Sequence, residues 1–497
     1  MSVIQVENLT FSYQSGDKLI FDNVNLSIST EWKLGFIGRN GRGKTTFLNI
    51  LTGKLDYKGK IISPVEFDYF PYPVPDINAL VSDVLRGVCP AVEDWQFMRE
   101  LSLLDVDAEV LYRPYGTLSY GEQTKVLLAA LFLNEGRFLL IDEPTNHLDC
   151  AARKIVSEYL RRKKGFILVS HDREFLDGCV DHILSLNKCD IVLQNGNFST
   201  YLEEFDKRQD FERKQSARLQ ADIRRLQVAY SKNAVWADKV EASKNGTRNS
   251  GLRPDKGYIG HKSAKLMKRA KVVEARRQRE IEEKSTLLQN SETASKLKIM
   301  PLPYKSEKLI AATDLCIYFG GRAVFKPVSF TVNSGEAVAL SGVNGCGKSS
   351  ILKLICGRKI DYTGIIDVGS GLSISYVPQH TADLRGSLTD LARDENIDES
   401  QFKAVLNKFG FNKDLFYTDV SAFSEGQKKK IALAKSLCKK AHLYVWDEPL
   451  NYIDIYSRIQ IEELVTEFKP TLLFVEHDGA FLNKIATKIV NVEKLKN

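Results

Sequence analysis

The 497-residue chain lacks the usual marks of a secreted or membrane-embedded protein. Its eight cysteines include no Cys-x-x-Cys pair and no repeated spacing, which argues against a disulfide framework and a zinc site. No apolar run approaches the ~20 residues that a membrane helix needs. The amino terminus starts directly with an alternating strand pattern, so no signal peptide is expected. We therefore expect a cytoplasmic protein with reduced thiols.

What is present describes a globular protein of two or three domains. Hydrophobic residues make up 43% of the chain and charged residues 27%, both of which are typical of soluble domains. The formal net charge of +7 is unevenly distributed. Residues 201–305 hold 25 basic and 14 acidic residues, a net charge of +11, so the rest of the chain is slightly acidic.

Two segments have the pattern Gly-x-x-x-x-Gly-Lys-Ser/Thr, each between a strand pattern and a helical pattern. The first runs from Gly38 to Thr45 and the second from Gly342 to Ser349. In such a loop, backbone N–H groups converge on phosphate oxygens, the lysine reaches the β- and γ-phosphates, and the hydroxyl ligates Mg²⁺. A structural glycine turn would explain one such segment, but not two with the same partners.

The partners of the two loops recur at a nearly constant distance along the chain. The loop lysines are 304 residues apart, and the strand that ends in Asp142-Glu143 recurs with Asp447-Glu448 after 305 residues. The segment LSYGEQ (118–123) matches FSEGQ (423–427), again after 305 residues. His171 and His477, each following an apolar strand and preceding an aspartate, are 306 residues apart. Four motifs with one offset indicate an internal duplication.

These motifs resemble the Walker A loop, signature, Walker B strand and switch histidine of ATP-binding-cassette (ABC) nucleotide-binding domains. The resemblance covers most of both halves. It implies an α/β fold with two P-loop ABC domains, 1–200 and 306–497, on either side of a linker at 201–305. Two cassettes, a charged linker and no membrane spans are most similar to the ABC-F group, ribosome-binding ATPases that include translation factors and antibiotic-resistance proteins.

The resemblance also implies the site residues. ATP and Mg²⁺ would bind at two sites, each between one Walker A loop and the signature of the other cassette. The implied ATP-binding residues are Tyr13, Gly38, Asn40, Gly41, Gly43, Lys44, Thr45, Thr46, Ser119, Gly121, Gly342, Asn344, Gly345, Gly347, Lys348, Ser349, Ser350, Gln379, Ser424 and Gly426. The implied Mg²⁺ ligands are Thr45, Asp142, Ser349, Gln379 and Asp447. Glu143 and Glu448 would orient or deprotonate the attacking water, and His171 and His477 would contact the γ-phosphate.

Two positions leave open questions. Tyr13 is predicted to stack on adenine in the first site, and Tyr318 or Phe319 in the second, although an aromatic residue of the core would give the same pattern. The second cassette has Gln379 in its Q-loop, whereas the first has Tyr72 at the matching position. A phenol cannot supply an amide carbonyl, so we expect unequal sites.

The linker has a pattern of its own. A Thr-x-x-Glu capping box at Thr200 and Glu203 predicts the start of its first helix. Apolar residues then recur at spacings of four and three in two stretches, 219–230 and 266–288. Stripes this narrow suit two helices packed against each other. Residues 245–260 between them contain four glycines and a proline, which excludes a continuous helix. The sequence therefore predicts a long antiparallel α-helical hairpin with a tip loop at 245–260.

The basic residues of the linker gather towards this tip. Residues 230–272 hold 11 basic and 3 acidic residues. A solvated spacer has no need of such a distribution, whereas a segment that reaches into nucleic acid does. The tip residues predicted to contact rRNA or a drug site are Arg248, Leu252, Arg253, Lys256, Tyr258 and Ile259.

The ABC-F resemblance implies a mode of action. With ATP bound, the protein would close, bind in the exit (E) site of the bacterial ribosome and direct the tip towards the peptidyl-transferase centre. Its partners would be 23S rRNA of the large subunit and the P-site tRNA, and not DNA or a membrane. The two cassettes would pair within a monomer that is cytoplasmic and ribosome-associated.

The distance between the Walker A loop and the signature indicates which type of ABC-F protein the chain resembles. Only 75 and 76 residues separate each Walker A lysine from its signature serine, which leaves no room for the extra arm of many ABC-F translation factors. With the long linker, this profile is most similar to the resistance type that protects against lincosamides, streptogramin A and pleuromutilins. A translation factor without a drug role remains the main alternative. The fused ATPase of a membrane transporter would not explain the basic linker.

Overall fold

The computed structural model describes residues 2–13, 19–134, 136–145, 148–187, 189–208, 297–411 and 413–495, with scattered positions between 210 and 221. The described residues form an α/β fold with two similar cassettes, as predicted. Most of the predicted hairpin, including the whole tip loop 245–260, lies outside the described residues. Among the described residues, no helix is both long enough and apolar enough to cross a membrane.

The first cassette combines an antiparallel sheet with a mainly parallel one. Its strands are β1 (Val3–Phe11), β2 (Phe21–Ser29), β3 (Lys33–Gly38), β4 (Lys58–Ile62), β5 (Glu66–Phe70), β6 (Arg137–Asp142), β7 (Phe166–Val169), β8 (His182–Leu186) and β9 (Ile191–Asn195). Its α-helices are α1 (Lys44–Leu51), α2 (Val81–Val88), α3 (Asp94–Leu103), α4 (Tyr120–Leu133), α5 (Cys150–Arg161) and α6 (Arg173–Cys179). The antiparallel sheet has the order β2-β1-β4. Alternate residues of β1 are buried, which explains the alternating pattern of the sequence.

The second sheet has the order β5-β6-β7-β3-β8-β9, in which only β9 is antiparallel to its neighbour. Strands β3, β6 and β7 are apolar and buried, as expected for parallel strands covered on both faces. Because parallel strands end at the same edge, the loop after β3, Asp142 at the end of β6 and His171 after β7 are brought together there. The fold thereby collects the phosphate loop, the Walker B strand end and the switch histidine of the first cassette.

The second cassette repeats this arrangement. Its strands are β10 (Lys308–Phe319), β11 (Arg322–Ala323), β12 (Val328–Asn333), β13 (Ala337–Ser341), β14 (Tyr362–Val368), β15 (Ile374–Val377), β16 (Leu443–Asp447), β17 (Leu472–Val475) and β18 (Lys488–Asn491). Its α-helices are α7 (Lys348–Ile355), α8 (Leu388–Asp394), α9 (Glu399–Lys408), α10 (Glu425–Cys438), α11 (Ile455–Phe468) and α12 (Gly479–Ile485). The parallel sheet has the order β15-β16-β17-β13-β18, and large side chains such as Trp446 and Phe474 are fully buried around it.

The helix that leads into the linker begins earlier than the sequence predicted. Helical residues start at 198, and the Asn197 side-chain oxygen accepts the backbone N–H of Thr200 at 3.1 Å and its hydroxyl at 2.9 Å. The predicted capping box at Thr200 and Glu203 is therefore wrong. The asparagine side chain reaches the N–H three residues ahead, which is the usual geometry of a helix N-cap.

Both cassettes belong to one compact unit, Met1–Tyr201 with Lys296–Asn497. Arg173, at the start of α6, donates hydrogen bonds to Glu462 of α11, whose side chain is fully buried. Lys484 Nζ lies 3.2 Å from the same carboxylate. At the position matching Arg173, the second cassette has Gly479. Glycine has no side chain, so the second cassette cannot make the reciprocal hydrogen bond to the first. The interface between the cassettes is therefore asymmetric.

Candidate nucleotide-binding and hydrolysis sites

Each phosphate loop leads from a central parallel strand into a helix. The first joins β3 to α1 and the second joins β13 to α7. The residue before each helix is a glycine with a left-handed backbone, Gly43 with φ 113° and Gly347 with φ 96°. A Cβ atom on Gly43 would lie only 2.6 Å from the Ile20 side chain. Glycine adopts the left-handed backbone without strain and has no Cβ atom to clash with Ile20. It therefore lets the loop close tightly at a helix N-terminus, where proteins bind phosphate.

A cavity of about 870 Å³ lies between the phosphate loop of the second cassette and the signature of the first. The predicted site residues that line it are Asn344, Gly345, Gly347, Lys348, Ser349, Ser350, Gln379, Glu448 and His477 from the second cassette, and Ser119 and Gly121 from the first. The N-termini of α4 and α7 both open onto this cavity. Two positive helix ends and the Lys348 ammonium therefore face one space, which suits an anion such as a polyphosphate.

In the other half, the Walker A loop of the first cassette packs against the signature region of the second. Asn40 Nδ2 donates to the Tyr452 carbonyl at 2.6 Å, across the two cassettes. Its Oδ1 lies 3.2 Å from Lys44 Nζ and 2.9 Å from a ring nitrogen of His171. A Cβ atom on Gly426 would lie 2.6 Å from the Tyr452 carbonyl and 3.1 Å from Asn40 Nδ2. Close approach of the two cassettes therefore requires glycine at position 426.

The two signature serines cap the helices that follow them. Ser119 Oγ accepts the N–H of Glu122 at 3.3 Å, and the Glu122 carboxylate accepts the Ser119 N–H at 2.8 Å. Ser424 and Gln427 form the same reciprocal pair at the start of α10. Both signatures thus fix a helix N-terminus with capping boxes, although both depart from Leu-Ser-Gly-Gly-Gln.

The Walker B aspartate of the first cassette has two hydroxyl donors. Thr45 Oγ1 and Tyr69 OH each lie 2.9 Å from Asp142 Oδ2. Burial, followed by the Asp142 charge, raises the pKa of Tyr69, which keeps the phenol protonated and able to donate. The sequence analysis named Thr45 and Asp142 as ligands of one Mg²⁺ ion but gave Tyr69 no role, because the pairing of β5 with β6 is needed to bring the tyrosine there.

The first cassette's glutamate sits in a partly buried position with a strained backbone. Glu143 has a φ of 51°, and its Oε1 lies 3.2 Å from a ring nitrogen of His171. Burial raises the pKa of Glu143 to about 8, although the Lys44 charge opposes the change. Burial and the same lysine hold the pKa of His171 well below its usual value, so the imidazole is neutral. A non-glycine residue in this backbone region at a functional edge is typical of a constrained active site.

The matching glutamate of the second cassette has a different environment. Glu448 also has a left-handed backbone, with a φ of 47°. Asn451 Nδ2 donates to it at 2.5 Å, and a His477 ring nitrogen lies 3.7 Å away. Burial raises the pKa of Glu448, but the contacts with His477 and Gln379 outweigh burial and lower it to about 2. Glu448 is therefore ionised at neutral pH, and the pKa values of the two matching glutamates are shifted in opposite directions.

The different environments of Glu143 and Glu448 agree with the different Q-loop residues of the two cassettes, Tyr72 and Gln379. Gln379 lines the cavity and contacts Glu448, whereas Tyr72 occupies the matching place in the first cassette. A tyrosine can donate its hydroxyl hydrogen but has no amide carbonyl to offer, so it cannot replace both functions of the glutamine. The two sites thus differ in chemistry as well as in packing.

The candidate adenine contacts also differ. Tyr13 is about half exposed, and its hydroxyl lies 3.0 Å from Thr46 Oγ1 beside the phosphate loop. In the second cassette Phe319, and not Tyr318, lines the cavity. Phe319 is exposed, so of these two aromatic residues it is the one available for stacking.

The fold and the two sites define a protein with tandem P-loop nucleotide-binding domains. The family model described as "ABC transporter" matches residues 21–146 and 325–451, slightly more than half of the chain. The chain belongs to this family, with two ABC ATP-binding domains, and it is an ATPase.

Individual proteins resemble the chain over nearly its whole length. "Ribosome protection protein VmlR" from Bacillus subtilis is 28% identical over 95% of this chain and 84% of its own length. "ABC transporter F family member 2" from Arabidopsis thaliana is 25% identical over 99% of this chain and 76% of its own. The fold is similar to that of the archaeal ribosome recycling factor aABCE1, with a TM-score of 0.62 and 19% identity over 97% of this chain and 87% of that one.

Proposed function

We propose that the protein is an ABC-F ATPase that acts on the bacterial ribosome and protects it from antibiotics. The observation that carries the ATPase part is the cavity lined by the Walker A loop of one cassette and the signature of the other. Such a cavity allows ATP binding to draw the two cassettes together, so that hydrolysis opens them again. The similarity to VmlR and to an ABC-F member supports the ribosomal part.

The site geometry supports specific roles for the residues. Lys348 and the N–H groups of its loop would hold the phosphates, and Ser119 and Gly121 would cover the γ-phosphate from the other cassette. In the first site, Lys44 and Asn40 would hold the phosphates, and Gly426 would cover the γ-phosphate from the other cassette. Glu143 and Glu448 would orient the attacking water, since each lies beside a switch histidine at the sheet edge.

The same residues fit Mg²⁺. In each cassette a loop hydroxyl meets the Walker B carboxylate, at 2.9 Å for Thr45 with Asp142 and at 3.0 Å for Ser349 with Asp447. Asp447 Oδ2 is buried and has no hydrogen-bond partner among the described residues, so it has acceptor capacity to spare. Hydroxyl, carboxylate and the Gln379 amide oxygen are ligands that Mg²⁺ prefers. When bound, the ion would neutralise charge on the phosphates.

We expect the two sites to turn over unequally. Because Glu448 is ionised and contacts Gln379, Glu448→Gln should lower steady-state ATPase activity about tenfold more than Glu143→Gln does. The measurement is phosphate release at saturating ATP for each single variant. Lys44→Ala and Lys348→Ala provide an independent comparison of the same sites. Equal losses within error would show that Tyr72 compensates for the missing glutamine.

The ribosomal role rests on the linker as well as on the relatives. The basic excess of 201–305 is the part of the chain with a composition suited to RNA. We propose that the protein binds at the E site, with 23S rRNA and the P-site tRNA as partners, and that the 245–260 tip displaces drug near the peptidyl-transferase centre. The chain would act as a cytoplasmic monomer whose cassettes pair with each other.

Ribosome binding should weaken steeply with salt, because each phosphate contact made by lysine or arginine releases counterions. We expect joint neutralisation of five basic residues to reduce the slope of log affinity against log salt by up to about 4. These residues are Lys262, Lys265, Lys268, Arg269 and Lys271. The measurement is co-sedimentation with 70S ribosomes at several salt concentrations, with ATP affinity as the control. An unchanged slope would show that this basic surface does not meet rRNA.

A further inference from the structure

The two halves of the chain diverge in a paired way at one buried place. Lys429, in α10, is 1% exposed, and Glu476, directly before His477, is 4% exposed. The positions that match them in the first cassette, 305 and 306 residues earlier, are Thr124 and Ser170. Both of these are also buried. A neutral pair in one cassette is thus replaced by a cation and an anion in the other.

The Lys429 ammonium connects three parts of the second site. Its Nζ donates to the carbonyls of Pro378 at 2.8 Å and Gln379 at 3.2 Å, and to the carbonyl of Asp447 at 3.0 Å. The first two carbonyls belong to the Q-loop and the third ends the Walker B strand. Since α10 begins at the signature serine, one side chain joins the signature helix, the Q-loop and Walker B.

Glu476 makes the complementary contacts. Its Oε2 accepts the N–H of Leu450 at 3.1 Å, and its Oε1 accepts the N–H of His477 at 2.7 Å. It therefore joins the segment after Glu448 to the switch histidine. Burial lowers the pKa of Lys429 to about 8 and raises the pKa of Glu476, and the charge of Glu476 opposes the change at Lys429.

The neutral residues at the matching positions of the first cassette make different hydrogen bonds. Thr124 Oγ1 donates to the Tyr120 carbonyl within its own helix, at 2.9 Å. Ser170 Oγ lies 3.2 Å from Thr145 Oγ1. Burying two charges is costly unless they have partners, so their presence in one cassette calls for a specific reason.

We propose that Lys429 and Glu476 are positioning residues that hold the Q-loop, Walker B end and switch histidine of the second cassette in the arrangement required for hydrolysis there. By fixing the backbone of Gln379, Lys429 keeps its amide against Glu448, a contact that the first cassette cannot make. The inference rests on the ATPase activity and is independent of the proposed ribosomal role, so either can fail without the other.

The test replaces the charged pair with the neutral pair of the first cassette. Lys429→Thr with Glu476→Ser is made in a Glu143→Gln background, so that the remaining turnover reports the second site. We expect kcat to fall about 10- to 100-fold, as for displaced catalytic groups, while the Kd for Mg²⁺·mant-ATP changes by less than about threefold. The matched control is Lys435→Thr with Glu395→Ser, which removes the 2.9 Å ion pair between Lys435 of the same helix and Glu395 directly after α8, and it should leave kcat unchanged.

Two further comparisons decide between positioning and charge balance. Lys429→Arg, which keeps the charge and the N–H donors, should retain more kcat than Lys429→Met. If Lys429→Thr alone is inactive but the double variant regains the parental kcat, the pair only balances charge and the proposal is wrong. If thermal unfolding shows that the double variant does not fold, Lys429→Met with Glu476→Gln, which preserves volume, is measured against the same criteria.

Discussion

Replacing both Glu143 and Glu448 with glutamine should abolish turnover while ATP binding persists. Each side chain lies at the end of a Walker B strand, beside a histidine and in a constrained backbone. Glutamine keeps the shape of the side chain but cannot accept a proton, so we expect kcat to fall about 10²- to 10⁴-fold. The measurement is phosphate release at saturating ATP, alongside equilibrium binding of mant-ATP.

The control for this variant is a more deeply buried glutamate away from the two sites. Glu100→Gln fits, because Glu100 is 2% exposed and contacts Tyr159 and Lys163. It should alter stability while hydrolysis at saturating ATP stays at the parental rate. If the protein acts on ribosomes, the double Glu→Gln variant should also accumulate there with ATP. If the double variant hydrolyses ATP at the parental rate, neither glutamate takes part in the catalytic step.

Shortening the linker tip should abolish drug protection in a susceptible host. Residues 247–258 carry Arg248, Arg253 and Lys256, which can meet phosphate, and apolar residues that can pack on exposed bases. Replacing this segment with a short Gly/Ser turn leaves both cassettes and the flanking basic residues in place. We therefore expect near-complete loss of protection with ATPase activity and ribosome binding largely retained. The measurement is the minimum inhibitory concentration of a lincosamide or a pleuromutilin at matched expression.

A point variant in the same loop provides the matched control. Asn249→Ser lies in the tip but changes neither charge nor an apolar contact, and it should protect as the parent does. Equal protection by the full and shortened proteins would show that the tip is not the effector. If the full-length protein gives no protection against these drugs, a translation factor without a drug role becomes the better explanation. The ATPase conclusions would stand in either case.

The motifs of the site could be predicted because each is local in the sequence and recurs at one offset. The pairing of the cassettes came from the family resemblance, and the cavity lined by Lys348 and Ser119 now gives it a geometry. Contacts that depend on distant strands or on the other cassette were missed. Asn40 reaching Tyr452 is one example, since 412 residues separate the two.

Other features were visible in the sequence but carried no local signal. The replacement of Thr124 and Ser170 by Lys429 and Glu476 can be found by aligning the two halves, yet only burial shows that it matters. The cap at Asn197 was missed because Thr200 offered a competing pattern three residues later. Asparagine and threonine can both cap a helix, so the choice depends on the backbone that precedes it.

The cavity shared by the two cassettes has a consequence for how the protein responds to dilution. Because both walls belong to one chain, bringing them together around a nucleotide is a unimolecular event with a fixed effective concentration. A cassette protein that relies on two separate copies loses its sites as it is diluted. This chain keeps the opposing wall close at any abundance, so its apparent ATP affinity should stay constant from nanomolar to micromolar protein.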